Sequence, residues 1–483
     1  MSSTIDRQQI EKVVAEVVAQ VRQQRGISAP GGGSSASTAT DGLGLYPDVD
    51  QAVRAAGVAF EKLNLLPLAR RQEIIRHMRQ TAREAAQLLA YEAWQETGLG
   101  RYEDKIQKNL LVADKTPGTE MVKPEVFTGD YGLTLVERAP FGVIGAITPS
   151  TNPTSTIICN AIGMLAAGNS GVFNVHPMAK GVSAHTVSLL NEAIVRAGGP
   201  HDLLTCVAEP TIESAQALMQ HPGVNLLVVT GGEGVVREAM RSGKKAICAG
   251  PGNPPVVVDE TADLAQAARD IVRGASFDNN IICVDEKEVF VVASVADQLK
   301  AEMKARGGVE INSWQLSRLL RSVFLEDRGT GQHAVVNKDF VGKNAAVLLH
   351  EIGVSAGDDV RLIFVEVDDP RHPLVWTEQL MPLLPIVRVG SAEEGIDLAV
   401  EVEHGYRHSA SMYSRNIDRL SAMARAFQGS IFVKNAPHIA GLGVEGEGFT
   451  SFSIASPTGE GLTCSRTFTR ERRCVLKDRF RII

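Results

Sequence analysis

Short apolar strands alternate with helices through the middle of this chain, and this alternation restricts the folds that it can adopt. Strand-like segments lie at 141–149, 170–175, 202–208, 225–230 and 254–259, and a helical pattern follows each of them. Apolar strands without polar alternation are typical of a parallel sheet that is buried on both faces. Repeated strand–helix units of this kind predict a doubly wound α/β domain.

A second series of strand-like segments follows at 288–292, 361–367 and 430–435. The stretch from 46 to 97 has a helical pattern. With 483 residues the chain is also too long for one simple core. The predicted fold class is therefore α/β, with two doubly wound α/β domains.

The composition excludes several classes of protein. A formal net charge of −7 argues against nucleic acid as the main partner, because binding phosphate requires a basic surface. No run of about eighteen apolar residues occurs, so no membrane span is predicted. The 6 cysteines are scattered without C-x-x-C pairs, which indicates neither a disulfide framework nor a zinc site. A soluble cytosolic enzyme is expected.

The N-terminal arm combines an amphipathic helix, predicted within 1–24, with a flexible Gly/Ser/Thr/Ala linker at 25–42. The helix has one continuous apolar stripe, formed by Ile10, Val13, Val14, Val17, Val18 and Val21. A tethered helix of this kind is more often a docking peptide than part of an enzyme core. The alternative is a helix that folds back on its own domain.

Cys283 and Asn152 are the candidates for covalent chemistry. Cys283 follows two isoleucines in the stretch G-A-S-F-D-N-N-I-I-C and is interpreted as a nucleophile, although a buried cysteine is usually a small hydrophobic residue. Asn152 lies on a turn between a strand and a helix, where its amide could stabilise an oxyanion. A helix-capping asparagine is an equally good interpretation of that hexapeptide.

Other motifs indicate a nucleotide site. Thr230 and Gly231 close a strand and open a helix, where a dinucleotide pyrophosphate would rest, although a tight turn also explains the glycines. Glu378 precedes a Pro-bounded strand and either holds a ribose hydroxyl or is solvated. The G-x-G-x-x-G at 441–446 is not interpreted as a Rossmann fingerprint, because a loop rather than a helix is predicted to follow it.

No metal site is predicted. His404 and His408 are spaced i, i+4, but the sequence offers no third ligand for zinc.

In combination, these segments resemble the aldehyde dehydrogenase superfamily, and within it the coenzyme-A-acylating branch that includes the propionaldehyde and acetaldehyde dehydrogenases of bacterial microcompartments. The resemblance covers residues 43–483 and rests on ordered motifs: P-F-G-V-I-G-A-I-T-P-S-T-N-P-T, L-A-A-G-N-S, T-G-G-E-G, A-G-P-G-N-P-P, A-S-F-D-N-N-I-I-C, T-E-Q-L-M-P-L-L-P and I-F-V-K-N.

The resemblance implies a role for each matched residue. Cys283 corresponds to the nucleophile, Asn152 to the oxyanion amide and Glu378 to the carboxylate on the nicotinamide ribose. The cofactor is NAD, coenzyme A is the co-substrate, and His408 is a candidate to assist it. The implied cofactor-binding residues are Thr148, Pro149, Ser150, His176, Pro177, Thr230, Gly231, Gly250, Glu378 and Leu380.

The resemblance also implies domains and partners. The NAD-binding domain comprises 43–119 and 139–255, and the catalytic domain comprises 256–448. The segments 120–138 and 449–483 are oligomerisation elements, which implies a homodimer or homotetramer. The N-terminal arm resembles encapsulation peptides, which implies a shell-protein partner and a location in the lumen of a cytoplasmic microcompartment.

Three departures from the family pattern matter. Hydrolytic members have a glutamate that activates the deacylating water, whereas the corresponding stretch here, 248–253, has none. A thiol such as coenzyme A then becomes the plausible acyl acceptor. His176 replaces a lysine that holds the adenosine ribose, and Ala179 replaces an acid that excludes a 2′-phosphate. NAD is favoured, and the use of NADP stays open.

The expected reaction is oxidation of a short-chain aldehyde, with propionaldehyde favoured and acetaldehyde an alternative, to its acyl-CoA. A hydrolytic aldehyde dehydrogenase and a non-catalytic shell-binding protein are the competing hypotheses.

Overall fold

The structure, a computed structural model, describes residues 44–483. The predicted N-terminal helix and nearly all of the linker lie outside the described residues. The strands are β1 (Leu45–Tyr46), β2 (Glu125–Gly129), β3 (Gly132–Pro140), β4 (Val143–Thr148), β5 (Ser170–Val175), β6 (Leu204–Val207), β7 (Leu226–Thr230), β8 (Ala246–Ala249), β9 (Pro255–Val258), β10 (Glu288–Val292), β11 (Gly308–Glu310), β12 (Phe324–Glu326), β13 (Val335–Val336), β14 (Leu362–Glu366), β15 (Leu383–Val389), β16 (Ser409–Tyr413), β17 (Ile431–Lys434), β18 (Ile454–Ala455), β19 (Gly461–Leu462) and β20 (Thr469–Lys477).

The helices surround these strands. They are α1 (Val49–Asn64), α2 (Leu68–Glu84), α3 (Ala86–Thr97), α4 (Tyr102–Lys115), α5 (Pro153–Ala166), α6 (Lys180–Arg196), α7 (Ile212–Gln220), α8 (Glu233–Arg241), α9 (Leu264–Ala275), α10 (Ala293–Ala305), α11 (Ser313–Val323), α12 (Ala345–Glu351), α13 (Pro373–Trp376), α14 (Ala392–Val402) and α15 (Ile417–Phe427). No helix in the described part of the chain is long and apolar enough to cross a membrane.

The first sheet has six parallel strands in the order β1-β6-β5-β4-β7-β8. Every residue of β4 and β5 is buried, as expected for strands covered by helices on both faces. The chain runs outward from β4 through β5 to β6, then returns to the other side of β4 with β7. Such a reversal of strand order is where open α/β sheets bind ligands.

The second sheet has seven parallel strands in the order β11-β14-β15-β10-β9-β16-β17. Together the two sheets confirm the predicted α/β fold. The first sheet ends with β8 at Ala249 and the second begins with β9 at Pro255.

A third sheet is small and antiparallel, with the order β2-β3-β20. It joins the segment before β4 to the C-terminal segment, and every residue of β2 is exposed. The domain boundaries themselves stay predictions.

Candidate active site

The loop at 276–287, between α9 and β10, carries Cys283 and is called the nucleophile loop below. Asp278, Asn279 and Asn280 in this loop have φ angles of 45°, 56° and 65°. Aspartate and asparagine tolerate this left-handed region better than other non-glycine residues, because their short polar side chains bond locally. The sequence D-N-N therefore permits a turn that aims the following residues toward the protein interior.

Buried side chains hold this loop in one conformation. The Nζ atom of Lys287, which is fully buried, donates to the carbonyl oxygen of Asn280 at 2.8 Å, to its Oδ1 at 2.6 Å and to the carbonyl oxygen of Ile282 at 3.2 Å. Asp285 accepts a hydrogen bond from the backbone N–H of Ile282 at 3.1 Å. The backbone that precedes Cys283 is thus fixed by Asp285 and Lys287, which follow it in the chain.

Cys283 itself is partly exposed, whereas Cys159, Cys206 and Cys248 are buried. Desolvation raises the pKa of the Cys283 thiol to about 12, and the negative charge of Glu378 adds to this effect. The free protein therefore holds Cys283 as a thiol at neutral pH.

Gly252 is the point at which three of the predicted residues meet. A Cβ atom at this glycine would lie 2.6 Å from the carbonyl oxygen of Cys283 and 3.0 Å from Cγ of His408. Its backbone N–H donates a long hydrogen bond, 3.4 Å, to Oε1 of Glu378. Gly252 carries no sequence signal of its own, although it lies in the segment 248–253, where hydrolytic relatives have their glutamate.

Glu378 is half-buried beside this glycine. Desolvation raises the pKa of its carboxyl group to about 7, and Lys287 and the Gly252 N–H oppose this rise. Both the acid and the carboxylate are therefore populated near neutral pH.

His408 is fully buried, and burial lowers its pKa to about 3, so its ring is neutral. Its Nδ1 lies 2.7 Å from Oγ of Ser409, and its backbone N–H donates to Glu403 at 2.7 Å. Its Nε2 has no hydrogen-bond partner in the described structure. The unpaired nitrogen of a neutral imidazole can accept a hydrogen bond from a ligand, whereas the low pKa of this ring disfavours the imidazolium.

Asn152 occupies the N-cap position of α5, but its side chain makes no capping hydrogen bond. Its Oδ1 instead accepts from Nζ of Lys108 at 2.6 Å, and its Nδ2 donates to Oγ1 of Thr151 at 3.1 Å. The capping interpretation of Asn152 is therefore wrong.

Except for Glu378 and Leu380, the predicted cofactor-binding residues lie at the carboxyl ends of β5, β4, β7 and β8. These strands are consecutive in the first sheet, and their carboxyl ends are called the nucleotide edge below. Thr148 ends β4, His176 follows β5, Thr230 ends β7 and Gly250 follows β8. Because carboxyl ends of parallel strands share one edge, these residues lie on the same side of the sheet.

The individual side chains at this edge differ in burial and contacts. Thr148 is buried and its Oγ1 has no partner in the described structure, whereas Thr230 Oγ1 lies 2.8 Å from Oγ of Ser453. His176 is exposed and its Nδ1 accepts from the N–H of Met178 at 3.2 Å.

Pro149, Ser150, Pro177 and Gly231 adjoin these edge residues in the chain, whereas Leu380 lies before β15 of the second sheet. Pro149 and Ser150 are half-buried after β4, Pro177 follows His176, and Gly231 opens the turn into α8. Leu380, two residues after Glu378, has a φ of 56°.

Two other motifs take no part in this arrangement. No helix follows the glycines at 441–446, as predicted, and Glu445 pairs with Arg273 at 2.6 Å. His404 packs against His333, with 4.5 Å between ring centroids, and its Nε2 lies 2.9 Å from the carbonyl oxygen of Trp376. Within residues 44–483 no group of three or more His, Cys, Asp and Glu residues could hold a metal ion.

The site thus combines a cysteine, an amide, a neutral histidine and a titrating carboxyl group with a strand edge suited to a dinucleotide. A sequence model of the aldehyde dehydrogenase family matches residues 36–313. The chain is 50% identical over 482 residues to the acetaldehyde dehydrogenase (acetylating) EutE of Salmonella typhimurium, and 99% of this chain and 100% of the relative are covered.

Two solved structures are similar over most of the chain. The Rhodopseudomonas palustris propionaldehyde dehydrogenase with bound CoA and an acylated cysteine has a TM-score of 0.87 and 46% identity, covering 90% of this chain and 98% of that one. A propionaldehyde dehydrogenase from the Clostridium phytofermentans fucose utilisation bacterial microcompartment has a TM-score of 0.88 and 46% identity, covering 91% of this chain and 100% of that one.

Proposed function

The chain belongs to the aldehyde dehydrogenase family, and we propose that it oxidises a short-chain aldehyde to its acyl-CoA with NAD and coenzyme A, through a thioester on Cys283. One relative is named an acetylating acetaldehyde dehydrogenase, and another holds CoA and an acylated cysteine. The observation that carries the proposal is the packing of Gly252 against the carbonyl oxygen of Cys283. Hydrolytic relatives have a water-activating glutamate in the segment that corresponds to 248–253. In this chain that segment places a glycine, which has no side chain, beside the nucleophile.

The nucleotide edge fits a dinucleotide. The buried Oγ1 of Thr148 lacks a partner at the point where the strand order reverses, which leaves a donor for a ligand. Thr230 and Gly231 would lie under the pyrophosphate at the start of α8, and Glu378 would hold a ribose hydroxyl. When bound, NAD supplies the acceptor for the hydride.

Cys283 carries the covalent steps. The Cys283 thiol first loses its proton to solvent, and the sulfur then adds to the aldehyde carbon. The Nδ2 amide of Asn152 and the Cys283 N–H hold the resulting oxyanion. Loss of hydride from that carbon leaves a thioester. Coenzyme A then attacks the thioester carbon and Cys283 leaves as thiolate.

His408 is the residue that would assist coenzyme A. Its ring is neutral and its Nε2 is unpaired, so Nε2 can accept a hydrogen bond from the incoming thiol. His408 and the Cys283 carbonyl both adjoin Gly252, where an added Cβ would lie 3.0 Å from Cγ of His408 and 2.6 Å from the carbonyl oxygen. Transfer of the coenzyme A thiol proton to the departing Cys283 sulfur would restore the free protein.

A steady-state assay tests this function. NADH formation should require coenzyme A, an aldehyde of two to four carbons and Cys283, and the product should be acyl-CoA. Cys283→Ala is the matched negative control. Production of free acid at an equal rate without coenzyme A would contradict the proposal and favour a hydrolytic enzyme. The same assay compares propionaldehyde with acetaldehyde and NAD with NADP. The two aldehydes differ by one methylene, so pocket volume can discriminate between them by only about 1–3 kcal/mol of transition-state binding.

The partners follow from two further features. The relative from a microcompartment supports a location in the lumen of a cytoplasmic microcompartment, with the predicted N-terminal helix binding a shell protein. Exposed apolar residues on the small sheet, including Phe127 and Val475, support pairing with another copy in a homodimer or homotetramer. Sedimentation of the wild type and a Phe127→Lys variant tests the assembly, and co-purification of shell proteins with and without residues 1–24 tests encapsulation.

A further inference from the structure

We propose that Lys108 is a positioning residue that orients the amide of Asn152 for oxyanion binding and couples it to the nucleophile loop; this role rests on the proposed function. Lys108 belongs to α4, far in sequence from the predicted catalytic residues. The position was not identified by any sequence motif.

The helix α4 buries charged side chains. Asp104, Lys105 and Lys108 are 4%, 2% and 2% exposed, respectively. Lysine and aspartate are almost never fully buried unless they are paired, because desolvating a charge is costly. Their burial therefore indicates specific partners inside the protein.

The partner of both lysines is Asp278 in the nucleophile loop. Its Oδ2 accepts from Nζ of Lys105 at 3.1 Å and also from Nζ of Lys108, while its Oδ1 accepts from the N–H of Arg101 at 2.6 Å. Asp104 in turn accepts from the backbone N–H of Asp278 at 2.8 Å. One helix therefore holds the left-handed turn that precedes Cys283.

Lys108 differs from Lys105 in one contact that matters for chemistry. Its Nζ reaches past Asp278 and donates to Oδ1 of Asn152 at 2.6 Å. An ammonium group has only donors, so the oxygen of the Asn152 amide must face it and the Nδ2 must point the other way. Since Asn152 is not used as a helix cap, Lys108 is the contact that fixes the oxygen side of this amide.

This arrangement places one cation between the two sources of oxyanion hydrogen bonds. Asn152 follows β4 at the nucleotide edge, and the Cys283 N–H belongs to the loop that Asp278 anchors. Lys108 bonds to both Asn152 and Asp278, and because Lys105 also anchors Asp278, the contact that Lys108 adds is the one to Asn152. Its positive charge also favours the developing negative charge nearby.

A double-mutant cycle with a matched control tests this role. Lys108→Met should lower kcat about 10–100-fold, within the range for loss of an oxyanion donor. In an Asn152→Ala background the same substitution should cost less than about twofold, because its effect passes through Asn152. Lys105→Met, which removes the other cation from Asp278 without touching Asn152, should lower kcat less than about threefold. The KM for coenzyme A should be unchanged throughout.

Two results would overturn the inference and leave Lys108 with a merely structural role. One is an equal loss of kcat in Lys108→Met and Lys105→Met, and the other is an undiminished loss of kcat when Lys108→Met is added to Asn152→Ala. Where the methionine variants do not fold, Lys108→Gln and Lys105→Gln carry the same comparison.

A crystal structure separates this inference from the proposed function. In Lys108→Met the freed Oδ1 of Asn152 should rotate to accept from a backbone N–H at the start of α5, the cap that it does not form in the wild type. An unchanged amide would overturn the inference even in a protein that proved to have no coenzyme-A-dependent activity. An inactive wild type with a rotated amide would refute the proposed function alone.

Discussion

The nucleotide edge and the nucleophile loop meet between Gly250 and Gly252, but different kinds of residue hold each of them in place. The edge consists of the carboxyl ends of buried apolar strands, with backbone turns and small hydroxyl side chains. The loop consists of left-handed residues anchored by buried charges from α4 and from Lys287. Strand topology positions the first region, and long-range ion pairs position the second.

Because the two regions are held in place differently, they should tolerate substitutions differently. A parallel sheet positions its edge through many backbone hydrogen bonds, so one altered side chain removes a ligand contact and little else. A buried ion pair is different, because deleting one partner leaves an uncompensated charge. We therefore expect changes in the loop to have larger effects than changes at the edge.

The largest effect is expected for Cys283→Ala. It should reduce acyl-CoA formation to background, because no other group in the site can form the thioester. Nucleotide affinity should stay within about twofold, since the edge is held by the sheet. Steady-state assays and isothermal titration with NAD measure the two properties. Turnover retained in this variant would remove the loop from the catalytic site.

The second effect concerns the contact between the two regions. Gly252→Ala should lower kcat/KM about 10–100-fold and cost about 1–3 kcal/mol of stability, because a Cβ atom would lie 2.6 Å from the Cys283 carbonyl oxygen. Gly234→Ala is the matched control, since no atom lies within 4 Å of its added Cβ. Activity assays and thermal unfolding measure both. A Gly252→Ala protein with unchanged activity and stability would show that the packing at Gly252 does not determine the position of Cys283.

The same difference explains how far the sequence predicts the molecule. The strands follow from local apolar runs, and the nucleotide-edge residues follow from the turns that end those strands. Other contacts of the site join residues that are far apart in the chain: Lys108 contacts Asp278 across 170 residues, and Gly252 contacts Glu378 across 126. No local pattern marks such pairs, so Lys108 and Gly252 were missed and the side chain of Asn152 was left between two interpretations.

The third effect concerns the protonation of Cys283. With a pKa of about 12, its reactive thiolate should increase about tenfold per pH unit from pH 7 to 10, without a plateau. Glu378→Gln removes a negative charge that raises this pKa, so it should speed alkylation several-fold. The gain should appear only above about pH 7, where the Glu378 carboxyl is ionised. Mass spectrometry of iodoacetamide-treated protein measures the rate at Cys283, with Cys283→Ala protein as the blank.

A gain that is equal at pH 6 and pH 9 would show that the carboxylate of Glu378 does not act on Cys283. Glu378 would then have no electrostatic effect on the nucleophile loop.

The smallest effect is expected at the edge itself. Thr148→Val removes a buried hydroxyl that has no partner in the described structure, so the free protein should lose no stability. The KM for NAD should rise about 3–10-fold, the equivalent of one net hydrogen bond, with kcat unchanged. Thr205→Val is the control, since that hydroxyl donates to the Ala52 carbonyl oxygen at 3.2 Å in the same sheet. It should lower the unfolding midpoint and leave the KM unchanged. If both variants lost stability and kept the KM for NAD, the hydroxyl of Thr148 would stabilise the fold and would not bind the nucleotide. The side chains of the edge would then not be ligand contacts, contrary to the comparison with the loop.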